Sequence, residues 1–128
     1  MPTQPERNLF EYAVVRFVPS IERGEFVNVG LVMMCKRRRW LRCRFHVASE
    51  RVLALFPAAD IDLLRKQLVS FERISEGDTS PIGSLEAHER FRWLTAVRSA
   101  CIATSRPHPG HADNLESAFD TLFNELVV

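Results

Sequence analysis

Residues 12–47 hold three runs in which apolar side chains recur at every second position, separated by segments too short for anything but turns. The first, 12–18 (YAVVRFV), is rich in β-branched and aromatic residues and ends at Pro19-Ser20. The second begins after Gly24 and runs to about Cys35. The compact basic turn Lys36-Arg37-Arg38 leads to the third, 40–47 (WLRCRFHV). Strands joined so closely pair with their sequence neighbours, so the pattern predicts an antiparallel three-stranded meander. Period-two alternation also sorts the faces. Ala13, Val15 and Phe17, then Val27, Val29, Leu31 and Met33, then Leu41, Cys43, Phe45 and Val47 are expected on one side. Tyr12, Arg16, Asn28, Trp40, Arg42, Arg44 and His46 fall on the other, with Arg16 opposite Asn28 and Asn28 opposite His46. A β-bulge near Gly24 or Gly30 would change this register.

Beyond the meander the apolar period lengthens. Ser49 is placed to cap a short helix that Pro57 stops, and Asp60 to cap a longer one showing Ile61, Leu64, Leu68 and Phe71 on one face. The segment 75–83 (SEGDTSPIG) reads as a loop, and Ser84 as the cap of a third helix reaching Leu94. A fourth strand is expected at 100–104 (ACIAT), followed by a rigid loop at RPHPGH. A final helix begins at Asp113, with Leu115, Phe119, Leu122, Phe123 and Leu126 in one stripe. The order βββααα(β)α describes an α+β fold: a small, mostly antiparallel sheet packed by three to four helices against one face, the other face being either open or crossed by one helix. Residues 1–8 read as a flexible N-terminus and 9–128 as one domain.

At 128 residues the chain can bury a core without staples, and seventeen Lys+Arg against sixteen Asp+Glu leave it near neutral. Bulk charge therefore selects no class of partner. All the basic residues except Lys36 and Lys66 are arginine, which suits planar, forked contacts. Cys35, Cys43 and Cys101 contain no C-x-x-C pair and read as small reduced residues of a reducing compartment. The N-terminal stretch has no signal-peptide pattern and no apolar run is long enough to span a bilayer, so the expectation is a cytoplasmic protein without a membrane partner.

Three stretches resemble the bacterial family known as domain of unknown function (DUF) 3037. They are Tyr12-x-x-x-Arg16-Phe17-Val18-Pro19 followed by Arg23-Gly24-Glu25-Phe26-Val27-Asn28-Val29-Gly30; Phe91-Arg92-Trp93-Leu94-Thr95-Ala96 followed by Arg98-Ser99; and Pro107-His108-x-Gly110 leading into Leu122-Phe123-x-x-Leu126-Val127. Val97 departs from the pattern, in which proline commonly precedes the arginine. The resemblance implies a single-domain bacterial protein, supplies no catalytic residues, and suggests a HipA-like kinase as a protein partner. Within these motifs, Arg23, Gly24, Glu25, Gly30, Trp93, Arg98 and Gly110 read as structural.

The face carrying Tyr12, Arg16, Asn28, Trp40, Arg42, Arg44 and His46 is the strongest binding candidate, because arginines beside aromatic rings suit phosphate, carboxylate or single-stranded nucleic acid. The plain alternative is a solvated sheet face, or one covered by the last helix. Glu25 could act as a base with Asn28 orienting it, but no second carboxylate is near in sequence for acid–base work. The plainer role is shaping the mouth of a strand, with Gly30 leaving room for an aromatic such as Trp93. His108 and His111 lack metal-ligand spacing. Thr95, Ser99 and Cys101 have His88 or His108 as conceivable bases, without a supporting motif. No metal or cofactor is expected and no catalytic constellation is complete. The leading expectation is a non-enzymatic accessory module acting with a protein partner. Nucleic-acid binding by the arginine face is the alternative, and a small phosphoryl- or acyl-directed enzyme using Glu25, Asn28, Arg16 and His46 is a third.

Overall fold

The computed structural model describes residues 8–96 and 101–128. Three strands come first: β1 (Asn8–Ser20), β2 (Glu25–Cys35) and β3 (Trp40–Phe45). Three helices follow, α1 (Ser49–Leu55), α2 (Ile61–Glu76) and α3 (Ala87–Leu94). Two short strands, β4 (Ile102–Thr104) and β5 (His108–Ala112), then lead to α4 (Leu115–Leu126). The expected α+β architecture and the antiparallel meander are both present. The sheet runs β3-β2-β1-β4, and β5 also pairs with β1. Helices α1 to α3 cover one face and α4 the other.

Long β1 is flanked along its length. Its outer side is paired to β4 through Val15–Phe17 and to β5 through Asn8–Tyr12. At the junction between these two strands Ser105 closes the ladder: its backbone N–H donates to Val14 O at 2.8 Å, and its hydroxyl accepts from Val14 N–H at 2.9 Å. Residues 106–111 therefore do not form only the rigid loop expected of RPHPGH, since His108–Ala112 is a strand. Pro109 is tolerated because β5 lies at the sheet's rim, where a missing N–H breaks no second ladder.

A bulge resets the faces of β2. Val15 pairs with Gly30 but Arg16 with Asn28, so Val29 is the extra residue. Val27 and Val29 enter the core under α1, α2 and α3, and so do Val32 and Met34. Leu31, Met33 and Cys35 pack instead with Phe10, Phe119, Phe123 and Val127 under α4. Strict alternation had placed Leu31 and Met33 with Val29; one inserted residue sends them to the opposite side. Both faces of β2 are buried from Val29 onward, because α1 to α3 cover one side and α4 the other.

Helix starts follow local capping chemistry. Asp60 accepts from Leu63 N–H at 3.0 Å, as its position predicts, and Asn114 caps α4 by accepting from Ser117 N–H at 3.0 Å. Ser49 and Ser84 are not caps. Ala48 precedes α1 without a side-chain bond, while the Ser49 hydroxyl accepts from Arg65 at 3.4 Å. Glu86 precedes α3, and Ser84 Oγ turns back to Pro81 O.

Candidate functional site

Helix α4 roofs the polar side of the meander. Glu116 takes the guanidinium of Arg42 and, at 3.2 Å, the indole N–H of Trp40. Arg44 donates to Asp120 at 3.1 Å. The two guanidinium groups also lie 5.8 and 5.1 Å from the centre of the Phe119 ring, and Arg44 lies 5.2 Å from that of Phe123, while Trp40 meets Phe119 edge-on. The far end of α4 is held in the same way. Asn28 Nδ2 donates to Leu126 O at 3.0 Å, and Arg51 reaches Val127 O at 3.4 Å, so side-chain donors answer the carbonyls that a helix C-terminus leaves unpaired.

Five of the seven candidate binding residues thus have internal attachments that the structure accounts for directly: Trp40, Arg42 and Arg44 bind α4, Asn28 binds its C-terminus, and Tyr12 packs against Phe10 and His108. Arg16 is the ladder partner of Asn28 and lies 4.0 Å over the Phe26 ring. Arg16 Nε and Asn28 Oδ1 are both buried without a hydrogen-bond partner, a donor and an acceptor on adjacent strands. His46 is not brought to them. It follows β3, is exposed, and donates its backbone N–H to Val29 O at 2.8 Å, one residue out of the register that alternation predicts.

The motif residues resolve into geometry. Gly24 takes φ +68° in the β1–β2 turn, and beside it Glu25 Oε1 receives both Nε and an Nη of Arg23 at 2.6 Å. Gly30 leaves room for Phe45 rather than Trp93. Gly110 does the same for Phe10, whose ring atoms come within 2.5 Å of where a Cβ would stand. Trp93 is partly exposed beside an apolar cavity of about 260 Å³ that Phe71, Ile74 and Ile102 also line. Arg98, Ser99 and Val97 lie outside the described residues. The conceivable nucleophiles are turned elsewhere: Thr95 Oγ1 donates to Phe91 O at 2.9 Å, and Cys101 contacts Gln67. His88 sits between Glu86 and Glu89, and His108 against Tyr12.

A second feature was hidden in the sequence. Among the described residues, strand β3 has a neighbour on one side only, and a groove of about 500 Å³ runs along it, lined by β3 and by Glu72, Ser75 and Glu76 of α2. Cys43 lies in this groove. Burial pushes its thiol well above the ordinary range, and the nearby carboxylates of Glu72 and Glu76 push it in the same direction. The apolar period of α2 gave no sign that the helix end overhangs a strand edge.

No helix among the described residues is long and apolar enough to cross a membrane. No curated protein and no solved structure matches the chain. Residues 12–127 match the family model described as "Protein of unknown function (DUF3037)", and with nearly its whole length covered, the chain belongs to that family.

Proposed function

We propose that the protein is a non-enzymatic accessory module that engages a protein partner. The observation carrying this reading is the contrast between its two sides of polar surface. The arginines of the sheet face are held by Glu116 and Asp120 of the chain's own helix, whereas the outer edge of β3 faces an open groove. Glu25, the candidate base, is engaged by Arg23 in a turn and is not grouped with His46. Binding of nucleic acid by Arg42 and Arg44 would require them to exchange their present carboxylates for phosphates, at the expense of the contacts that seat α4. A HipA-like kinase, which the family resemblance suggests, is the first partner to examine. The test is recovery of the tagged protein from its native host, followed by size exclusion. Co-elution with a stoichiometric partner is expected, and consistent recovery as a lone monomer would overturn the reading.

A further inference from the structure

We propose that the free edge of β3 receives an extended segment of a partner protein as an added strand, with alternate basic side chains of that segment directed at Glu72 and Glu76. The inference rests on the interaction-module reading and names its site and the chemistry of its partner.

Backbone polarity comes first. Antiparallel ladders alternate residues whose N–H and C=O groups point toward the neighbouring strand with residues whose groups point away. His46 N–H bonds to Val29 O, and the β2–β3 pairing continues in step through Arg44 with Leu31, Arg42 with Met33 and Trp40 with Cys35. Leu41, Cys43 and Phe45 are consequently the residues whose backbone groups point outward, and among the described residues nothing pairs them. Adding a strand at such an edge satisfies these groups with main-chain bonds, leaving side chains to set specificity.

Charge then selects the segment. On the α2 side the groove is walled by Glu72, Ser75 and Glu76. Glu72 and Glu76 are four residues apart on one helix, about 6 Å along its axis. Side chains two apart on a strand are spaced by about 6.6 Å, so successive same-face residues of an added strand match the two carboxylates. On the α4 side Arg42 and Arg44 are already matched by Glu116 and Asp120, so the acidic wall sets the preference.

A second copy of this chain is the poorer occupant. Two-fold antiparallel pairing of β3 with itself centred on Cys43 would set Arg42 against Arg44 of the copy, each already matched by Glu116 or Asp120, so that row neither favours nor opposes pairing. The same pairing would bring the two α2 acidic ends onto the same side of the joined sheet. Like charges facing each other in this way oppose pairing, a common protection of natural edges. The same edge remains open to a strand of opposite charge. At the sheet's other rim, β4 is three residues long and β5 contains Pro109.

The test uses the full chain labelled with ¹⁵N and two seven-residue peptides with blocked ends, one alternating threonine with lysine and the other threonine with glutamate. The lysine peptide is expected to shift the amides of Leu41, Cys43 and Phe45, with roughly thirtyfold preference over the glutamate peptide when each of two charge pairs contributes at the upper end of the usual range. The response should weaken as salt is raised. The double variant Glu72→Lys/Glu76→Lys is expected to transfer the response to the glutamate peptide. Because Glu72 is half-buried while Glu76 is exposed, the amide spectrum of the double variant without peptide checks that it keeps the native fold. Absence of shifts from either peptide at millimolar concentration, equal response to both, or an unchanged preference in the double variant overturns the proposal. So does a concentration-dependent dimer that shifts the same amides without peptide. Co-elution of a partner combined with any of these results would leave the accessory-module reading standing and remove only this site.

Discussion

Gly30 lies directly against Phe45, its ladder partner on β3: a Cβ added to Gly30 would stand 2.9 Å from Cε1 of that ring and 3.0 Å from the carbonyl oxygen of Arg44. The aromatic ring could turn, but the backbone oxygen is fixed by the sheet. Gly30→Ala is therefore expected to destabilise the protein by about 1–3 kcal/mol through overpacking. Gly24 has open space around it and a φ of +68°, so Gly24→Ala should cost about 1–2 kcal/mol through backbone strain alone. Asparagine separates the two causes, because it tolerates the left-handed region. In urea unfolding, Gly24→Asn should recover most of the loss, while Gly30→Asn should be at least as damaging as alanine.

The attachment of α4 can be apportioned by a double-mutant cycle. Arg44 and Asp120 are each roughly half exposed, so their coupling in the set Arg44→Ala, Asp120→Ala and the double variant should be about 0.2–1 kcal/mol. It should shrink as the salt concentration is raised. Arg44→Ala alone should cost more than this coupling, since the side chain also covers the rings of Phe119 and Phe123. Equality of the two values would show that the ring contacts contribute nothing.

Cys43 links stability to alkaline pH. Its thiol is held protonated in the fold, above its value in the unfolded chain. The unfolded state therefore loses its proton first as pH rises, and stability falls with increasing pH. The contribution is intact below the ordinary thiol pKa of about 8.5 and declines from there toward the folded value. Urea midpoints at neutral pH and near pH 9.5 should accordingly differ more for the native protein than for Cys43→Ala. An identical alkaline decline in both would rule this linkage out.

The caps make a paired comparison. Asp60→Ala should cost about 1 kcal/mol by releasing Leu63 N–H, and Asn114→Ala a similar amount at α4. Ser49→Ala should lie within about 0.5 kcal/mol of the native protein, because its hydroxyl caps no helix. Thermal unfolding of the three variants checks the ranking.

The meander, the amphipathic face of α2 and the stripe of α4 were legible because each repeats one geometric rule over many residues. Arg16 opposite Asn28 followed from that rule as well. The register on the far side of Asn28 did not, since Val29 is one residue more than the pairing requires, and nothing in V-N-V-G states which residue a bulge will absorb. β5 escaped because prolines at 107 and 109 are the signature of a loop, whereas a rim strand needs its N–H groups on one side only. The edge groove was illegible for a different reason. It joins Glu72 and Glu76 to β3 across a helix–sheet contact that neither segment's own pattern encodes. The role of Asn28 likewise depends on the position of the α4 C-terminus, ninety-eight residues away.

The mortising of Ser105 into Val14 joins residues ninety-one apart in the chain, and Asn8 reaches Asp113 across one hundred and five. On a ribosome, β1 emerges before β4 and β5 and must wait for them before its outer side is closed. Through that interval α1 to α3 are already made, but the outer side of β1 and the face that α4 will cover stay exposed, and pairings this distant slow the final closure. Synthesis thus leaves a period in which the first made of these five strands stands open along one edge.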